Sequence, residues 1–118
     1  MPSEGRRRPA KGKRQDANAG TRQQPRDIER TGTFKRDYKR ELAGRHGKTL
    51  ANDLTEIVKR LVMDLPLDRR RVDHPLAGQW KDHRDCRVKP DLVLIYRKPD
   101  DDTLQLVRLG SHSELGMG

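Results

Sequence analysis

Apolar residues in this 118-residue chain follow two kinds of repeat, and the change from one to the other divides the fold. Phe34, Tyr38 and Leu42 recur every four residues, opposite Lys35, Arg36, Lys39 and Arg40, so one side of a helix faces a core and the other faces water. Thr33 stands where an N-cap is needed, and Gly44 and Gly47 break the pattern. A second stripe of Leu50, Leu54, Ile57, Leu61 and Leu65, widened by Val58 and Val62, predicts a helix that starts at Thr49 and is stopped by Pro66. So short a connection between the two predicts an antiparallel helical hairpin.

From Gln79 onward the spacing is that of strands. Residues 79–88, 92–97 and 103–110 predict three, joined by the tight Lys89-Pro90-Asp91 connection and the polar Lys98–Asp102 segment, hence an antiparallel meander. Residues 26–31, ended by Gly32, read as a short strand ahead of the hairpin. Residues 66–78 read as an irregular segment that carries Arg69, Arg70, Arg71 and the Asp73-His74-Pro75 turn. The expected architecture is α+β, with an N-terminal helical hairpin on one face of a small antiparallel sheet.

Composition adds a boundary. Residues 1–27 contain no Val, Ile, Leu, Phe, Trp or Tyr, so nothing there offsets the entropy of ordering; 1–25 are expected to be a disordered basic arm before a domain at 26–118. The chain carries 27 Lys and Arg against 18 Asp and Glu, a net charge of +9. Such a balance suits a polyanionic partner, nucleic acid first, with a merely solubilising tail as the blander alternative. No stretch approaches the roughly 18 apolar residues of a membrane span, and no apolar leader core is present. The single Cys86 has no partner for an internal disulfide; a cytoplasmic protein with no membrane association is expected.

Of the four histidines, His74, His83 and His112 fall in or beside the sheet region. His83-x-x-Cys86 has the look of a metal-ligand pair, but residues three apart on a strand face opposite sides, so no metal site is assigned. Cys86 shares strand parity with Trp80 and Val88 and is expected in the core. The other parity gathers Lys81, His83, Asp85 and Arg87 into a polar face suited to an anionic ligand. Asp91 starts the next strand, and Arg108 and His112 end the last. Periodicity does not fix the register between them, and a solvated polar face with scattered histidines stands beside the catalytic reading.

Three runs carry a resemblance: Asp73-His74-Pro75-Leu76-Ala77-Gly78-Gln79-Trp80-Lys81, Arg84-Asp85-Cys86-Arg87-Val88-Lys89-Pro90-Asp91 with Leu92 to Tyr96, and Leu109-Gly110-Ser111-His112-Ser113-Glu114-Leu115. In order and spacing they resemble the YafQ branch of the RelE/ParE toxin superfamily over about Arg26 to Gly118. The resemblance implies a type II toxin that enters the ribosomal A site, cuts mRNA, and is silenced by a cognate antitoxin. It implies no cofactor. It also implies a site at His74, Asp91 and His112, with Arg108 in the strand before the last motif. Two positions depart from the pattern. Arg87 stands where the family usually has His, and Gly116-Met117-Gly118 stand where it usually ends in an aromatic.

Metal-free RNA cleavage uses the 2′-OH as nucleophile, so a site must remove that proton, stabilise a phosphorane and protonate the 5′-oxygen. Histidine titrates in the right range for both transfers. Arginine stays charged and serves only as an electrostatic stabiliser. The expected catalytic set is therefore His74, Arg87, Asp91 and His112, with Lys81, Arg84 and Arg108 binding nucleic acid. A catalytically weakened relative that binds RNA, ribosome or antitoxin is the alternative. A ParE-like gyrase poison is less favoured, because His74, Asp91 and His112 are retained.

Overall fold

The computed structural model describes residues 22–116. The arm expected at 1–25 lies outside the described residues as far as residue 21. Of the remaining four, Arg22 donates its backbone N–H to Met63 O and its guanidinium to Asp101 O.

Nine elements follow: β1 (Asp27–Arg30), α1 (Gly32–Leu42), α2 (Gly47–Val62), a 3₁₀ turn at Arg69–Arg71, β2 (His74–Pro75), a second 3₁₀ turn at Gly78–Trp80, then β3 (Arg84–Lys89), β4 (Leu92–Arg97) and β5 (Thr103–Gly110). The sheet order is β1-β5-β4-β3-β2. The β3-β4-β5 meander is antiparallel as expected, and β2 extends it with His74 opposite Asp85. β1 lies parallel to β5, the chain between them running through the helical hairpin and then β2, β3 and β4.

Both helices pack on one face of the sheet. Phe34, Leu50, Leu54, Ile57 and Leu61 meet Cys86, Val88, Leu92, Leu94, Tyr96, Leu104 and Leu106 in one buried cluster. The opposite face has a smaller cluster, in which Val93, Ile95 and Leu115 are covered by Leu76, Trp80 and Val107.

Several boundaries move from the sequence expectation, each for a local reason. The cap of α1 is Thr31 rather than Thr33. Its hydroxyl accepts from Phe34 N at 2.9 Å and donates to Val107 O at 2.8 Å, so one side chain both starts the helix and ties it to β5. Helix α2 begins at Gly47, two residues before Thr49, and ends at Val62. Asp64 at φ 57° turns the chain there, leaving Leu65 outside the helix.

The strand expected at 79–88 is only Arg84–Lys89, since the 3₁₀ turn and Asp82 at φ 74° occupy its first half. Trp80 therefore packs on the face opposite Cys86, not beside it. Lys81 and His83 belong to a turn, where strand parity does not apply. Asp85 is buried rather than solvated. Cys86 is in the core as expected, and burial pushes its thiol pKa up.

Candidate active site

The β2–β3 ladder sets His74 directly across from Asp85, on the face away from the helices. The His74 Nδ1 lies 2.7 Å from Val72 O and 3.1 Å from Asp85 Oδ1. A carbonyl oxygen only accepts, so Nδ1 carries the hydrogen, and Nε2 is the nitrogen left to take up or release a proton.

Two anchors, Arg71 and Asp73, fix the short segment that delivers His74. Arg71 is buried and donates to Val88 O at 2.8 Å and Glu56 Oε1 at 3.0 Å. It also reaches Arg87 O at 3.3 Å, so it satisfies the carbonyls of β3 at the bulge between Arg87 and Lys89, beyond the end of two-residue β2. Asp73 accepts from Tyr96 Oη at 2.6 Å and from Arg84 Nε at 3.2 Å. Between them Val72 adopts φ 51° and ψ 47°, a left-handed conformation that a β-branched residue rarely takes.

Asp85 is the centre of the site. Its side chain is 2% exposed, and Oδ2 has no hydrogen-bond partner. Burial pushes its pKa above the ordinary carboxyl value, while the charges of His74, His112 and Arg87 pull it the other way. The carboxyl thus lies within electrostatic reach of three groups from three segments. By sequence Asp85 falls on a polar face with no role of its own, and its parity with Arg87 is the available signal.

The register of the meander brings the remaining predicted residues to one end of the sheet. Val93 pairs with both Arg87 and Gly110, so Asp91 before β4 and His112 after β5 leave the sheet at the same end. The Gly110-to-Leu115 motif is largely architecture. A side chain at Gly110 would meet Arg40 Nη2 at 3.1 Å and Glu114 Oε1 at 3.2 Å. Ser111 and Glu114 bond reciprocally, N–H to Oε1 at 2.9 Å and N–H to Oγ at 3.1 Å, as in a capping box. Leu115 is buried against Val93 and Ile95. His112, held half-buried within that turn, takes no part in its internal bonding.

Not every predicted residue joins the cluster. Asp91 is engaged by the α1–α2 loop, accepting from His46 Nε2 at 2.9 Å and pairing with Arg45, and it makes no contact with His74 or His112. Arg84 is committed to Asp73. Arg108 pairs in register with Ile95, in the same row as Asp85 and His74, but its Nε and Nη2 bond to Asp37 of α1 at 2.7 and 3.3 Å. Lys81 is exposed at the end of the 3₁₀ turn. Gly116 sits at φ 71°, a conformation in which an aromatic residue would be strained.

Residues 26–117 match the family described as the bacterial toxin of type II toxin-antitoxin system, YafQ. The "mRNA interferase toxin YafQ" of Escherichia coli K12 is 42% identical over 91 residues, covering 76% of this chain and 95% of that protein. The toxin in the crystal structure of the E. coli DinJ-YafQ toxin-antitoxin complex superposes with a TM-score of 0.63 at 37% identity, over 77% of this chain and 97% of that one. A metal-bound toxin from Helicobacter pylori gives 0.64 at 41% identity, over 75% and 97%. Among the described residues of the present chain, no three His, Cys, Asp or Glu side chains are grouped to hold an ion. With the fold, the three motifs and these relatives in agreement, the chain belongs to the YafQ family of bacterial type II toxins.

Proposed function

We propose that this chain is a ribosome-dependent mRNA endoribonuclease that works in the cytoplasm, cuts message in the A site through the 2′-OH without a metal, and is silenced by a protein antitoxin. The observation that carries the chemistry is the buried Asp85 carboxyl in contact with His74, in a site whose charge is also set by Arg87 and His112. The antitoxin partner follows from the DinJ-bound relative, and the RNA substrate from the mRNA interferase relatives.

In this reading His74 and His112 share the two proton transfers. Asp85 holds His74 in the tautomer that frees Nε2 and stabilises the imidazolium when it forms. Arg87, whose backbone carbonyl Arg71 holds at the β3 bulge, supplies the permanent positive charge that a phosphorane needs. Arg108 keeps Nη1 free of Asp37 for a phosphate oxygen, and Lys81 offers an exposed cation after the second 3₁₀ turn. Asp91 acts from the end of the sheet through the α1–α2 loop. Arg84 serves the Asp73 network that holds His74 and binds RNA only through its residual exposure.

The test is cleavage of translated message on purified ribosomes, read by primer extension. His112→Ala should lower cleavage by about a hundred- to ten-thousand-fold while ribosome binding stays near wild type. Arg87→Ala should lower it by a few kcal/mol of barrier at most. Undiminished cleavage by His112→Ala refutes the assignment. A wild type that cleaves nothing but gains activity as Arg87→His identifies a weakened binding relative instead.

A further inference from the structure

We infer that Asp37 and Arg40, one turn apart on α1, position the site end of β5, fixing Arg108 directly and the His112 turn through Glu114. The inference deepens the nuclease reading and rests on it for its kinetic part.

The outer edge of β5 is paired with β1 only as far as Leu106. Beyond that point α1 covers it with side chains. Thr31 N–H donates to Leu106 O at 3.1 Å and the Thr31 hydroxyl to Val107 O, after which Asp37 accepts the Leu109 N–H at 3.0 Å and Arg40 donates to Leu109 O at 2.8 Å. Asp37 and Arg40 thus bond Leu109 as a neighbouring strand would, and they bond each other at 2.9 Å. A buried carboxylate is tolerated there because every interaction it needs is present. Its side chain is only 4% exposed. Burial alone would raise the Asp37 pKa, but Arg108, the Leu109 N–H and Arg40 outweigh it and hold the carboxyl below its usual range.

Two consequences follow for the site. The fork of Asp37 on Arg108 leaves that guanidinium one orientation, with Nη1 as its unbonded corner. Arg40 also reaches Glu114 Oε2 at 3.6 Å, and Glu114 is the residue that closes the turn around His112. A cation and a titratable group, both on β5 or its exit, are therefore referenced to one helix. A displacement of about 1 Å in either can cost about a hundredfold in rate.

The experiment uses the full chain with Asp37→Asn, Glu114→Ala, Arg108→Ala and the Asp37→Asn/Arg108→Ala pair. Asp37→Asn retains an oxygen for the Leu109 N–H. It should lower kcat about a hundredfold with KM changed less than about threefold, and lower it by a clearly smaller factor on the Arg108→Ala background, where only the route through Arg40 and Glu114 to His112 remains. Loss of folding alone predicts equal effects on both backgrounds, and that result overturns the inference. NMR supplies the readout that needs no activity. The Arg108 Nε–H signal and the His112 ring signals should both move in Asp37→Asn, and only the His112 signals in Glu114→Ala, whose exposed position allows it to fold. Unmoved His112 signals in both variants overturn the inference. Signals that move as expected in the two variants, with a wild type that cleaves no message, refute the nuclease reading and leave the positioning intact.

Discussion

Replacing Asp85 by Asn keeps the outline of the side chain and removes its charge, so it opposes stability to activity at one atom. In the native protein Oδ2 is buried without a partner. Leaving a buried polar atom unpaired costs about 1–3 kcal/mol, more when it is charged. His74, His112 and Arg87 return part of that through their charges. Asn retains Oδ1 for the His74 Nδ1–H but still leaves its second atom unpaired, so only the charge component is recovered. A gain of about 1 kcal/mol at pH 7 is expected, or about 5 °C in Tm for a domain of this size.

The pH dependence supplies the sign. Burial raises the folded pKa of Asp85, so the native state binds this proton more tightly than the unfolded chain does. The stability it contributes is complete below the unfolded value of about 4 and is lost as pH rises through the folded value. Asn does not titrate. The advantage of the variant should therefore be greatest near neutrality and shrink towards pH 4, while the other carboxylates, common to both proteins, cancel in the difference. Urea unfolding of the two proteins between pH 4 and 8 measures this directly. Cleavage should meanwhile fall about a hundredfold or more as the imidazolium loses its counter-charge. Equal stability at pH 7, or a difference that does not vary with pH, would refute the reasoning.

Val72→Gly should stabilise by about 1 kcal/mol in urea unfolding, because relief of a left-handed β-branched residue outweighs the entropy of the added glycine; a less stable variant would show that Val72 is unstrained. Gly47→Ala should lose about 2 kcal/mol despite the better helix propensity of alanine, since its Cβ would collide with the Leu42 carbonyl oxygen and lie 3.0 Å from the carbonyl carbon; thermal melting decides it. Asp64→Ala should lose about 2 kcal/mol at neutral pH by unpairing Arg26 and Lys98. Arg26 and Lys98 hold the Asp64 pKa below its usual range against the pull of burial, so its contribution is present above the unfolded value and lost as pH falls through the folded one. The deficit of the variant should accordingly narrow in acid.

How far the sequence reveals this molecule depends on the range of the interaction. Both helices and the last two strands were legible because their apolar positions face one contiguous core and repeat at the helical or strand period. The first half of the 79–88 strand was not, since Trp80 and Lys81 alternate as a strand would while Gly78 and Asp82 take positive φ values. The β1–β5 pairing joins residues more than seventy apart, and periodicity carries no register between them. The motifs located His74 and His112 but not their company. Asp85 reads as a solvent-facing acid until the β2 partner is known, and Asp37 reads as part of the polar side of α1 although it adjoins the Phe34–Tyr38 stripe. Asp91 falls in the turn just before β4 rather than in the strand, and its partners Arg45 and His46 come from a loop that no local pattern connects to it.

Side chains rather than strands finish the sheet at its site end: Arg71 on the carbonyls of β3, and Asp37 with Arg40 on Leu109 of β5. A foreign strand finds these particular backbone groups of β3 and β5 already bonded, so neither stretch offers it a free ladder. Four-residue β1, exposed along its whole length, forms the margin opposite β2 and, among the described residues, has no strand on its outer side. Any polypeptide that extends this sheet by adding a strand next to β1 must do so at the margin opposite β2 and His74, with β5 and its Arg108 lying one strand in from the contact.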